Sequence, residues 1–371
     1  GRYTTRADTG QRPFVRGGVY DKPYQTRLSG RTALGGYAEA HARYERVDGV
    51  TDEAGFVAKR FNLFTSTRVS DFVRMAAELE IEEAGQEITL EYAAIDVRIH
   101  PSLTLRGGMV LSPLGRFNLS HDSPLNEFTD RPLVSTDILG VALSEPGCGA
   151  FGHFAMGAHG RLTYEAYLTN GFHQGIVRDA ADGTRIPLGR GNIEDENGSP
   201  AVVARVAWSP RAGVEFGAST HHGAWNVFQT EGVRVDERRD LTIAVLDAEA
   251  VVAGVRITGE AAIAHANIPH ALHGLYASAQ RGLSIDLARD VGRGWIPTAP
   301  GSLFTLKARL DLVDMDSDAV GQDIGQIGAG VNFRPTSDSV VKFDFVRGRS
   351  FDRFNNRSDH ARLLVSFATY F

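Results

Sequence analysis

Apolar and polar residues alternate with a period of two along most of residues 34–371, which predicts an all-β chain: a transmembrane antiparallel up-and-down β-barrel of about 16 strands. Two further observations support that reading. The links between the alternating segments are by turns tight and long, as expected when one rim carries turns and the other carries loops. One link, residues 112–148, is far longer than a hairpin needs, and long inserts of this kind usually serve a function. The sequence has no apolar run of 18 residues, so no helix spans a bilayer. A transmembrane strand needs only about 9–11 residues, half of them facing the lumen.

Residues 1–33 have scattered Arg, Gly and Pro without a period, and they read as an N-terminal extension outside the barrel. The chain opens at Gly1 on a polar stretch, so for an exported protein the leader is expected to be already removed. Strands are predicted at 34–46, 56–68, 72–83, 87–99 and 103–111 before the insert. After it they are predicted at 149–158, 162–172, 201–210, 214–225, 240–252, 255–267, 272–287, 302–313, 323–334, 339–349 and 361–371. The clearest places Val73, Met75, Ala77, Leu79 and Ile81 on one face, with Arg74, Glu78, Glu80 and Glu82 on the other. Tight links fall near 69–71, 100–102, 159–161, 209–213, 253–254 and 335–338, and long ones at 47–55, 112–148, 173–200, 226–239, 314–322 and 350–360. Residues 288–301 are long for the tight rim, which means a misplaced strand edge or an extra loop there. A change of polar parity in 87–99 implies a bulge near Ala93-Ala94.

Composition narrows the function. A net charge of −6 and a pI near 6.1 give no footprint for nucleic acid. Nearly all basic residues are Arg; the lysines are Lys22, Lys59, Lys307 and Lys342. The single Cys148 excludes an intramolecular disulfide and reads as a small buried filler or a reactive thiol, with filler the favoured reading.

Hydrocarbon tolerates no unpaired backbone group, so spanning strands must close into a cylinder. Lipid takes the apolar side: Leu306, Ala308, Leu310 and Leu312 outward, Lys307, Arg309 and Asp311 inward; Leu363, Val365, Phe367, Thr369 and Phe371 outward in the last strand. Tyr44, Trp208, Phe333, Phe343, Phe345, Tyr370 and Phe371 fit interfacial girdles, although aromatics are also simply common in strands. A barrel of around sixteen strands is too wide for side chains to fill and leaves an aqueous channel, so its lumen is the expected functional site.

Several stretches resemble a known family. The terminal strand ARLLVSFATYF ends on Phe371 like other outer-membrane barrels. GGYAEAHARY, RFNLF, ELEIEE, ITLEYAAIDVRIHPSLTLRGGMVLSPLGRFNLSHDSP and RPLVSTDILG are similar, in order and spacing, to porins of the phosphate-selective O/P-like superfamily. The resemblance covers roughly residues 34–172 and the C-terminus. It implies a bacterial outer-membrane barrel of sixteen strands, usually a homotrimer, set in lipid and lipopolysaccharide, whose third loop folds into the lumen. The scarcity of lysine and the acidic balance depart from the phosphate-selective members.

The function expected is passive diffusion of ions and small hydrophilic solutes through a weakly charge-selective pore, with no cofactor, metal or reaction. Pore-lining candidates are Arg74, Arg98, Arg106, Lys307, Arg309 and Lys342 on the wall, and Arg116, Asp122, Glu127, Asp130, Arg131 and Asp137 in the insert. Most lumen charges are ordinarily just solvated. Two other classes remain in view: a barrel that sheathes a partner, and an outer-membrane hydrolase. For the latter, Ser120-His121-Asp122 has the residue types but adjacency in sequence is not triad geometry. Asp314, Asp316 and Asp318 resemble the start of a calcium loop, but Ala319 and Gly325 replace its required Gly and Glu.

Overall fold

The computed structural model describes residue 22 and residues 26–178 and 183–371. Most of the 1–33 extension lies outside the described residues. The barrel strands are β1 Thr32–Val47, β2 Val50–Arg68, β3 Val73–Glu82, β4 Glu87–His100, β5 Leu103–Leu111, β6 Ser144–Ala155, β7 Arg161–Thr169 and β8 Ala201–Arg211. They continue as β9 Val214–Ala224, β10 Asp240–Val252, β11 Val255–Ala266, β12 Ala279–Asp290, β13 Leu303–Asp314, β14 Asp323–Arg334, β15 Ser339–Phe351 and β16 Arg357–Tyr370. Each pairs antiparallel with its neighbours in sequence, and β16 returns to β1 from His360↔Val47 to Tyr370↔Tyr37. Closure leaves no open edge. A short strand, Thr26–Ser29, folds back on the start of β1.

The two faces sort as lipid demands. Leu246, Ile263, Leu306, Ile327, Phe343 and Leu363 are exposed on the outside, while Glu39, Arg60, Glu78, Lys307, Arg309, Asp311, Lys342 and Asp344 are buried inside. A charge on the outer face at mid-depth would cost roughly 2–4 kcal/mol, so the sorting fixes which face is which.

Links at 69–72, 101–102, 156–160, 212–213, 253–254 and 335–338 form one rim, and the extra loop expected on it spans 291–302. On the opposite rim, the long link expected at 47–55 is instead the two-residue turn Asp48-Gly49. Both residues have positive φ, +50° and +83°, as a tight hairpin turn requires, and Asp-Gly is the signal for it. The bulge in β4 falls at Glu91 rather than at Ala93-Ala94: the register slips between Glu78↔Tyr92 and Leu79↔Leu90, so Glu91 and Tyr92 both turn inward. Residues 272–278, expected in a strand, belong to the link before β12.

The insert ends at Leu143, not at 148, because Ser144–Leu111 pairing already begins β6. Cys148 is therefore a strand residue. It is exposed on the outer face opposite Leu168, so it is no buried filler. Tyr370 is also misplaced by the girdle reading: it faces inward, buried, and its hydroxyl donates to Asp122.

Candidate functional site: the narrowed lumen

β5 and β6 stop short, so residues 112–143 leave the wall at mid-height and meet inward side chains from strands on every side of the cylinder. Gly115 N donates to Ser219 in β9 at 2.9 Å, and Phe117 N to Glu260 in β11 at 3.1 Å. Leu133 N donates to Asp311 in β13 at 3.3 Å, and Thr129 N to Asp344 in β15 at 2.8 Å. Ser123 donates to Glu39 in β1 at 2.6 Å, and His121 bonds Glu91 in β4 at 2.6 Å. Contacts on opposite walls place the segment inside the ring.

An irregular segment inside a barrel has backbone carbonyls that water and a ladder cannot both reach, so side chains must satisfy them. Here cations do it. Lys342 Nζ donates to Ser123 O at 2.8 Å and Phe128 O at 3.2 Å, Arg334 to Pro124 O at 2.9 Å, Lys307 to Glu127 O at 2.6 Å, and Arg309 to Asp130 O at 2.7 Å. Lys307 and Arg309 also lie over the Phe128 ring, at 4.7 and 4.5 Å from its centroid. Carboxylates complete the charge balance: Asp344 binds Lys307, Asp286 holds Arg309 through two oxygens at 2.5 and 2.6 Å, and Glu127 binds Arg256 and Asn332.

The other side of the insert is apolar. Its longer helical turn, Val134–Leu139, packs on the inner wall of β11 to β13 and on the turn Ile186–Gly189 of the next long link. Val134, Ile138, Ile176 and Ile186 are buried with Leu241, Ile243, Val245, Ala264 and Val313. Gly282 leaves room for these side chains. A Cβ on it would stand 2.9 Å from Ile138 Cδ1 and 3.1 Å from Val134 Cγ2.

Between these holdfasts, the half-buried charges gather around Asp130. Its carboxylate meets Arg43 of β1 at 2.6 Å and Arg362 of β16 at 3.3 Å, and Glu45 lies 3.3 Å from Arg43. These four side chains are 13–21% exposed, as are Arg256 and Glu127, whereas the Lys307–Asp344 pair is sealed.

Of the residues expected to line the pore, Asp122, Glu127, Asp130, Lys307, Arg309 and Lys342 converge with the loop. Asp122 meets Lys22 and Tyr370. Arg116 pairs with Glu215 at 2.8 Å and with Glu249. Arg106 forks onto Asp96 at 2.7 and 2.8 Å under the Phe151 ring. Arg131 is half-buried and donates to Val141 O at 3.3 Å, and Asp137 accepts from Thr136 at 3.0 Å. Burial lowers the Arg131 pKa and raises that of Asp137. Arg74 and Arg98 lie apart, beside the 69–72 turn: Arg74 sits opposite Arg68 and Asp96, and Arg98 is exposed and caps Asp71 O at 2.6 Å. Neither reaches the loop because each is within a residue or two of a strand end on the tight-turn rim.

Ser120, His121 and Asp122 form no relay. His121 Nδ1 and Nε2 are taken by Asn118 O at 2.7 Å and Glu91 at 2.6 Å, and Ser120 donates to Arg116 O. Sequence reasoning missed Arg334, Asn332 and Tyr370 as loop contacts; their inward parity was readable, but which carbonyl each would meet was not. It also placed Lys22 outside the barrel, whereas its ammonium lies among lumen carboxylates.

A closed antiparallel cylinder with an apolar exterior, a charged interior and a loop folded within is a transmembrane β-barrel with the architecture of outer-membrane channels. Solved structures agree at the level of fold. The outer membrane channel DcaP of Acinetobacter baumannii superposes with a TM-score of 0.59, covering 94% of this chain and 99% of that one at 13% identity. OmpF of Salmonella typhi, in complex with daunomycin, gives 0.58 over 93% and 99% at 12% identity. The trimer form of OmpT, an outer membrane protein of Vibrio cholerae, gives 0.57 over 92% and 100% at 10% identity. In sequence, an uncharacterised protein of Aquifex aeolicus (strain VF5) is 28% identical over 211 residues, 55% of this chain. The chain spans about half of that relative's length, 46%. No family model matches.

Proposed function

We propose that the protein is an outer-membrane porin: a passive, weakly charge-selective diffusion channel for ions and small hydrophilic solutes, with no reaction or cofactor. The observation that carries this is the arrangement around Asp130, where a loop carboxylate meets wall arginines 43 and 362 at the half-buried part of the lumen. Opposed charges at a narrow point produce a transverse field, which slows solutes of either sign without barring them. The order of Arg106-Gly107-Gly108, Pro113-Leu114-Gly115 and His121 to Pro124 supports kinship with the O/P-like porins, though not their phosphate preference. A homotrimer in lipid and lipopolysaccharide fits the same reading; OmpT of Vibrio cholerae, similar in fold, has a trimer form.

Single-channel conductance in a planar bilayer, with the reversal potential under a salt gradient, tests the proposal. Stable steps are expected, and deleting about residues 115–135 should enlarge them. A second reading, a barrel that sheathes a partner, draws on the buried apolar cluster inside the ring. Silence from folded protein together with a tightly co-purifying partner would select it.

A further inference from the structure

The lumen contains a primary ammonium that no barrel strand supplies. Lys22 precedes the barrel, and only 3 residues separate it from Thr26, whose strand folds back on β1 at the tight-turn rim. At roughly 3.5 Å per residue that tether reaches about 14 Å, enough to turn the side chain into the barrel and not enough to let it leave far. Its Nζ lies 2.8 Å from Glu78, bonds Asp122, and stands 5.5 Å from the centroid of the Phe64 ring. Phe64 and Glu78 face each other in register on β2 and β3, so the wall presents a carboxylate and an aromatic face at one point.

The neighbouring carboxylates already have partners of their own. Glu80 has Arg60 at 3.6 Å, and Glu91 has His121 at 2.6 Å. Fully buried Asn62 ties the group together, its Nδ2 2.9 Å from Glu78 and 3.0 Å from Glu80, and its Oδ1 has no hydrogen-bond partner among the described residues. Glu78 and Asp122 are the pair matched to Lys22, and the loop supplies one while the wall supplies the other.

We propose that Lys22 is a tethered stand-in, and that the place it occupies is a binding site for small solutes bearing a primary ammonium. An ammonium has three N–H donors and a charge that attracts a ring face, which are the partners present: two carboxylates and Phe64. A metal ion fits less well, since among the described residues no cluster of three or more ligating side chains is placed to hold one. This inference rests on the channel reading only for the claim that such solutes pass on through; the site itself does not require conduction.

Calorimetry on the full chain in detergent, with n-butylamine as probe, tests it. The tether supplies the native ammonium at roughly millimolar effective concentration or above, so Lys22→Ala should bind butylamine at least about tenfold more tightly than the unaltered chain. Tetramethylammonium, which has no N–H, and sodium should show no such gain. Equal binding of butylamine to both chains, or an equal gain for sodium, overturns the proposal. Should Lys22→Ala not fold, Lys22→Cys in a Cys148→Ser background, folded with an aminoethyl disulfide cap and then reduced, empties the site after folding. Butylamine binding must appear on reduction and vanish on recapping; no change on reduction overturns the proposal. Calorimetry reads the site without ion flow, so a silent bilayer and a silent titration are separate failures.

Discussion

Two sectors of the same lumen hold the same loop by different physics. Against β11 to β13 the insert is held by apolar burial, with Val134 and Ile138 in one buried cluster with Ile243, Val245 and Val313. Against β13 to β16 and β1 it is held by charge, with Lys307, Arg309, Arg334 and Lys342 donating to its carbonyls. Burial is indifferent to salt and to protonation, whereas charge-assisted hydrogen bonds are short, directional and titratable. The difference teaches that one side is a fixed mount and the other an adjustable one. The half-buried Asp130 cluster lies on the adjustable side.

The largest effect expected is at the fixed mount. Ile138→Ala removes a fully buried side chain and should cost about 2–5 kcal/mol, read as a lowered unfolding midpoint unchanged between low and high salt. A strong salt dependence would erase the distinction between the sectors. Lys342→Met keeps the length of a buried side chain but strands the carbonyls of Ser123 and Phe128, at about 1–3 kcal/mol. Conductance should then fluctuate more while the midpoint moves less than for Ile138→Ala.

Acid sharpens the contrast further. Burial pushes the Glu127 carboxyl up, but the Arg256 and Arg334 guanidiniums pull it down to about 2. A carboxyl held low in the fold stabilises above its unfolded pKa, about 4.3, and that stabilisation is lost as pH falls toward about 2. His121 runs the other way: burial lowers it, yet Glu91 raises it by more, so its contribution is full below the unfolded pKa of about 6.5 and lost as pH rises through its folded value. Protease nicking of 120–131 should therefore increase at both ends of a pH series, with 134–139 protected throughout. The smallest effect on stability is expected for Arg43→Gln, about 0–1 kcal/mol because the side chain is partly solvated. Its reversal potential should nevertheless shift toward cation preference, since Asp130 and Glu45 keep their charge.

The barrel was legible because lipid enforces period-two sorting on every strand, and β5 was read to the residue at 103–111. The 48–49 turn was missed because exposed hairpin residues on both faces of a protruding ribbon, such as Val50, Thr51 and Phe56, carry no alternation to read. Inward charges were readable by parity, Lys307 and Arg309 among them. Their partners were not, because the carbonyls of Ser123, Glu127 and Asp130 are 150 or more residues away along the chain and have no side-chain signature. The apolar mount was hidden for a related reason: β10 is apolar on both faces where the loop covers it, so Leu241 and Ile243 look like lipid-facing residues.

Cys148 is the only thiol in the sequence, and it stands on the outer wall just past the point where the insert rejoins the barrel. That gives a single native attachment point for a spin label or fluorophore facing the acyl chains. Collisional quenching by oxygen or by a lipid-borne nitroxide at that one position would calibrate how deep the root of the loop sits, with no engineered cysteine.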